Sequence, residues 1–282
     1  MKPNGAELRE FAAFALIIVA GLAVASTAFA SDGVIEINQV RAKAGGVTPG
    51  DTPLFPVTIS LPGSYRLTSN LDVTDASARP GGTLAENTTA ILVTANGVTI
   101  DLNGFAINGP CTGGPPCSPL GSGEGIDSGT QVGVMVVNGT VQGMGSAGVH
   151  LISGRGSLAE KLRAVSNGAD GIDAETVTNC AAVSNGGFGI QAKTVTGCTA
   201  SFNVLHGIAG VGATVTGCTA VGNKGFGITA DTVVNCTAGS NGSYGISAGL
   251  ATGCTADTNS GALQISAIGI KGQNLCSGVL CP

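Results

Sequence analysis

The chain reads as all-β, a single-stranded right-handed parallel β-helix of about nine coils of 18–24 residues, and three regularities predict this solenoid. Cys180, Cys198, Cys218, Cys236 and Cys254 recur at one constant interval, lengthened by two positions only between Cys198 and Cys218. Asn185, Asn203, Asn223, Asn241 and Asn259 follow them by five residues, and Gly-Ile pairs at 189–190, 207–208, 227–228 and 245–246 by nine and ten. Leu162, Asn167 and Gly171-Ile172 carry the pattern one coil back. One such coil cannot bury its own apolar face, so successive coils must stack.

The segments follow in order. Lys2 and Arg9 precede an apolar run from Phe11 to Ala25, then Ser26-Thr27-Ala28-Phe29-Ala30. That is the pattern of a secretory signal peptide over 1–30, cleaved before Ser31; an uncleaved anchor is the competing reading. Residues 31–54 read as an N-terminal extension and cap, 55–262 as the β-helix and 263–282 as a C-terminal cap.

Within one period, Ala182, Ala200, Ala220, Ala238 and Ala256 stand two after each Cys, and Val177, Val195, Val215 and Val233 three before. Small apolar residues in period two mark short strands with one buried face. Three strands close one coil, and in-register coils lie ~4.8 Å apart. The Asn column falls at the turns, where Asn tolerates left-handed backbone and stacked amides can hydrogen-bond along the ladder. A left-handed hexapeptide solenoid would want an aliphatic residue every six, a rule that Ser201 and Gly239 break.

Pro62-Gly63-Ser64-Tyr65-Arg66-Leu67, Val98-Thr-Ile-Asp-Leu-Asn-Gly-Phe105, Asn138-Gly-Thr-Val-Gln-Gly143 and the Cys-x-Ala-x-x-Asn-x-x-x-Gly-Ile repeats resemble bacterial secreted right-handed β-helix proteins of the pectin-lyase-like superfamily, over about residues 34 to 282. The resemblance implies cleavage or isomerisation of acidic polysaccharides by clustered Asp with Arg or Lys, often with calcium. The Asn-Thr-Asp, Asp-Asp, Gly-His-Gly and Arg-Ile-Lys signatures of the superfamily's hydrolases are missing here.

The formal charge of −5 belongs to the mature part, which has no Lys/Arg cluster, so nucleic acid is not an expected partner. After signal cleavage no membrane contact is expected either. Export to a secreted, periplasmic or surface location permits disulfides. Cys111 with Cys117 and Cys276 with Cys281 are expected to close small loops. The five-membered column reads as buried small hydrophobes, because one inward-facing column cannot surround zinc tetrahedrally.

One constellation could carry chemistry. The residue after each Ile or Val, which should point outward, is Asp127, His150, Asp173 and then Gln191 on consecutive coils. Glu124 and Asp170 precede the Gly of two coils, Glu175 and Lys193 lie two past the outward column, and the insert between Cys111 and Cys117 could overhang the same end. Asp127, His150 and Asp173 are the candidate catalytic residues; Glu124, Asp170, Glu175, Gln191 and Lys193 are candidate ligand contacts, and a divalent cation could sit among the carboxylates. A solvated charged face is the plainer reading.

His206, beside Phe188 and Phe226 in its column, reads as a packing residue. Thr199, Thr219, Thr237 and Thr255, with Thr178, Thr196, Thr216 and Thr252, lie three apart across a Gly or Asn, unlike the Thr-x-Thr spacing of ice-binding surfaces, so β-propensity explains them.

Sparse charge and missing signatures favour a noncatalytic exported scaffold that binds a polysaccharide or a surface protein. The alternative is a carbohydrate-active enzyme, a lyase or glycoside hydrolase, and the sequence leaves open which holds. The absence of Trp and the presence of only Tyr65 and Tyr244 weigh against both, since sugar sites recruit aromatic faces.

Overall fold

The computed structural model describes residues 33–111, 118–151, 155–210, 212–261, 263–267 and 271–281; the expected signal peptide lies outside them. From Val34 the chain winds into a right-handed parallel β-helix of three sheets. Each sheet is named here for the residue it turns inward. The Ile sheet stacks Ile126–Asp127, Val149–His150, Ile172–Asp173, Ile190–Gln191 and Ile208–Ala209. The Val sheet stacks Thr176–Thr178, Thr194–Thr196 and Thr214–Thr216, and the Ala sheet Ala181–Val183, Thr199–Ser201 and Thr219–Val221.

Seven turns run from Ile126 to Ile265. The separation along the chain is 23 in the first two, as between Met144 and Asn167, and 18 in most of the others, as between Asn167 and Asn185. The turns before Ile126, from Val57 to Ile91 and from Ile91 to Ile126, are nearly twice the regular length and exceed the expected range. The added length holds short 3-10 turns at Ala76–Ala78 and Ala85–Asn87 and the excursion around Cys111. The core narrows accordingly. One inward column of the Ala sheet passes from Leu71 to Ile107, Val141, Ala164, Ala182 and Ala200, so wide coils enclose large side chains and the short regular coils enclose alanine.

Two ladders hold the corners. Asn203 Oδ1 accepts from the Asn185 backbone N–H at 2.9 Å and from Asn185 Nδ2 at 3.0 Å. Asn203 Nδ2 donates to Ala182 O at 3.1 Å and to Asn223 Oδ1 at 2.9 Å. Each amide in the column is buried and bonded this way, and Gln264 Oε1 ends the run by accepting from Asn259. The left-handed residue at this turn is not the Asn but the one before it, Ser184, Phe202 or Ser240, with φ of 54–59°. The amide instead faces inward, which also explains the Gly of Gly-Ile: a Cβ on Gly189 would stand 2.6 Å from Asn203 Nδ2.

The cysteines serve a second corner in the same way. Cys198 Sγ accepts the Cys180 N–H at 3.4 Å, and the same contact links Cys198 to Cys218 and Cys218 to Cys236. Each thiol donates to a carbonyl of its own coil, as Cys198 Sγ does to Thr196 O at 3.3 Å. On the last coil Asn274 Oδ1 takes the Cys254 N–H at 2.9 Å, so Asn and Cys occupy one acceptor position. All five thiols are free and 1–3% exposed.

Both ends are closed. Val34–Ile37, within the segment read as extension and cap, pairs with Gly63–Leu67, and the helix Gln39–Ala44 follows, its N-terminus capped by Asn38. Asp51 accepts from Val47 and Thr58, which occupies polar groups at the edge strand Val57–Ile59. At the other end Val279–Leu280 folds back antiparallel on Leu275–Cys276, and a Cys276–Cys281 disulfide closes the hairpin. Cys111 is also disulfide-bonded; Cys117, its expected partner, lies outside the described residues.

The ladders generate two expectations. Asn203→Ala removes a saturated buried amide and should lower stability by about 1–3 kcal/mol in urea unfolding, whereas a loss near zero would show that the ladder carries no load. Thiol titration should find five reactive cysteines in denatured, unreduced protein and almost none in native protein, because the column is sealed.

Candidate functional site

On the outer face of the Ile sheet, register pairs His150 with Asp127 on one side and Asp173 on the other. The same outward column continues as Gln191, Ala209, Thr229 and Ser247, so the charge is confined to three coils. Two of these coils have long corners. The next strand starts at Met135 after Asp127 and at Leu158 after His150, eight positions on in each case, against three from Asp173 to Thr176. The side chains of the cluster are half-buried, and that of Asp173 is buried.

His150 Nδ1 lies 3.2 Å from Glu124 Oε1 and 3.9 Å from Asp127 Oδ1. The hydrogen bond to Glu124 holds the imidazolium against its burial cost, and the charges of Asp173 and Asp127 add to it, so the His150 pKa rises to about 9. Asp127 Oδ1 also accepts from Gly129 N at 2.7 Å, which fixes the carboxylate in a tight turn.

Asp173 points outward as the alternation requires, yet it is only 5% exposed and its Oδ1 has no hydrogen-bond partner. Burial and the neighbouring Asp170 charge push its pKa to about 7, with His150 opposing them. The Asp170 carboxyl stands close enough to Asp173 for each to influence the other's proton. Burial raises Asp170 as well, while the Phe188 N–H, 2.6 Å from Asp170 Oδ1, favours its ionised form.

The structure thus brings together Glu124, Asp127, His150, Asp170 and Asp173, with Gln191 on the next coil. Glu175 and Lys193 are not part of the group: they pair with each other at 3.0 Å, and Glu175 also accepts from Gly156 N. The insert 112–117 lies outside the described residues. Glu124, Asp127 and His150 offer ligand atoms all within 4.8 Å of one another, and imidazole with two carboxylates suits a divalent transition metal. Such an ion would have to displace the His150 proton.

A feature less legible in the sequence adjoins the cluster. The position before each Gly-Ile is Asp170, Phe188, His206, Phe226 and Tyr244 on successive coils. The last four rings stack with centroids 5.3, 4.7 and 5.6 Å apart and are half-buried. His206 Nδ1 accepts from Phe226 N at 3.0 Å, and burial lowers its pKa, so the neutral ring is the one that fits. The signal was present in the repeat, but Phe, His and Tyr share no letter.

No protein-family model and no curated protein sequence matches the chain. Among solved structures, the chain is similar to the A-module of Azotobacter vinelandii mannuronan C-5 epimerase AlgE4, at 13% identity and a TM-score of 0.47, covering 88% of this chain and 85% of that one. It is also similar to the periplasmic alginate epimerase AlgG, at 10% identity and a TM-score of 0.49, covering 87% and 84%. A third similarity is to ORF18 of Geobacillus virus E2, at 11% identity and a TM-score of 0.39, covering 87% and 62%. The likeness extends to the coiled architecture and no further.

The perturbed groups fix a sign for pH dependence. His150, raised from 6.5 to about 9, stabilises the fold fully below pH 6.5, and that gain is lost as pH rises to about 9. Asp173, raised from 3.8 to about 7, adds a cost that grows as pH rises from about 4 to 7. The melting temperature should therefore fall from pH 5 to pH 9, and Asp173→Asn should raise it at pH 8 and flatten the lower part of the curve. A flat curve in the parent protein would show that the five groups do not interact.

Proposed function

We propose that the protein is an exported, noncatalytic scaffold that binds a polysaccharide along one edge of the Ile sheet. The observation that carries this reading is one continuous column in which Asp170, beside Asp173 and His150, passes directly into the Phe188–His206–Phe226–Tyr244 ring stack. Carboxylates and imidazole are good partners for sugar hydroxyls, and ring edges and faces suit the apolar side of a pyranose. Coils ~4.8 Å apart repeat at nearly the length of one sugar unit in an extended chain. The face carries excess negative charge, which favours a neutral glycan over a polyuronate unless a cation held by Glu124, Asp127 and His150 bridges the two.

A second reading, a carbohydrate-active enzyme, is favoured by one specific observation. Burial and the neighbouring Asp170 push the Asp173 pKa up to about 7, which suits a carboxyl that must donate a proton near neutrality, as a general acid does. Asp173 would then protonate a leaving oxygen, with Asp127 or Asp170 as the second carboxylate.

A panel of neutral and uronate polysaccharides separates the two. Retention on a neutral polysaccharide, weakened at least several-fold by Phe226→Ala and by Asp127→Ala, without new reducing ends or unsaturated products, is the expected result. Product formation that Asp173→Asn abolishes would establish the enzyme, and retention on none of the panel would remove the glycan reading.

A further inference from the structure

The outer face of the Val sheet carries a regular threonine grid that neither the ladders nor the acidic cluster uses. Thr176-Val177-Thr178, Thr194-Val195-Thr196 and Thr214-Val215-Thr216 pair in register, each valine buried and each flanking threonine half-buried or exposed. Columns counted from the cysteines gave threonines three apart. Read along the strands, the spacing is Thr-x-Thr. Thr199 and Thr219 extend the second and third rows past the corner onto the Ala sheet.

Alternation turns both threonines of a row outward, ~6.6 Å apart, and stacking repeats the row every ~4.8 Å. The Thr side chain is β-branched and stiff at χ1, so methyls and hydroxyls are held in place rather than sampled. Among the described residues, none of these hydroxyls bonds to another protein group. Charge is confined to the rim, at Glu160 above Thr178 with its partner Lys161, at Arg163 above Ala181, at the Glu175–Lys193 pair and at Asp231.

We propose that this face binds ice. Its two repeats lie close to the oxygen repeats on a prism face of hexagonal ice, so hydroxyls can join the lattice while methyls fill the hollows between its oxygens. The grid itself has no charge to recognise a polyelectrolyte. It also presents no aromatic ring of the kind a crystalline polysaccharide surface would stack on. Individual contacts are weak and area supplies the affinity, so three complete rows should shape crystals and slow recrystallisation rather than depress freezing strongly. The face lies on a different sheet from the proposed glycan column, and the two readings stand or fall separately.

The test is growth of single ice crystals in purified protein, with grain size followed during annealing against an equal concentration of albumin. Faceted crystals and grains several-fold smaller than in albumin are expected. Thr196→Lys and Thr214→Lys, both at exposed positions, should abolish faceting with circular dichroism and melting temperature unchanged, whereas Thr229→Lys on the Ile sheet should leave it intact. Round discs with albumin-sized grains would overturn the proposal. So would faceting that survives both lysine variants, or retention on crystalline cellulose or chitin with no effect on ice.

Discussion

The structure depends on one constraint: every coil must present its corner N–H groups to an acceptor on the next coil. Sheet ladders satisfy the strands, but three corners per turn break the ladder, and a buried N–H without a partner costs about 1–3 kcal/mol. Repeated over seven turns, such losses would exceed the net stability of a domain. The Asn amides meet the demand at one corner and the cysteine thiols at another, each side chain accepting from the coil before it. This places both columns inside, forces Gly opposite the Asn amide, and keeps the period short and nearly constant wherever both ladders run uninterrupted.

Because register is locked, a surface residue repeats as a column, and any function is written in columns. Three differ in chemistry. The Ile-sheet edge passes from carboxylates to rings, the Val sheet carries threonines, and the outward Ala-sheet column runs through Val183, Ser201, Val221 and Gly239 without charge. A ligand matched to such a surface is itself periodic, a polymer or a lattice. That is the physical reason both proposed ligands are extended rather than small molecules.

The period, the parallel stacking and the inward Ile, Val and Ala columns were legible because identical residues stack on identical residues. Residues 57 to 125 were less so: with turns nearly twice the regular length and no shared letters, nothing in the sequence showed how much chain each coil takes. The left-handed position was assigned to Asn when it belongs to the residue before, since that position varies through Ser184, Phe202, Gly222, Ser240 and Thr258 while Asn repeats. Cysteine as an acceptor was not visible, because its apolar character alone explains burial. In the site, the Asp127–His150–Asp173 alignment follows from the Gly-Ile register, but the depth of Asp173 depends on neighbouring coils that no single repeat encodes.

The position of the acidic cluster has its own cause. A regular short coil leaves its outward column on an open face, where charges are well solvated and keep ordinary protonation states. The two longer coils place their added chain at the corner after Asp127 and His150. Asp173 stands one coil beyond, on the first short corner, where the Phe188 N–H bonds to the neighbouring Asp170. The carboxyl is buried, and burial rather than a special partner is the largest influence on its proton. The unusual protonation thus falls where the coil length changes, which is also where the two ladders begin.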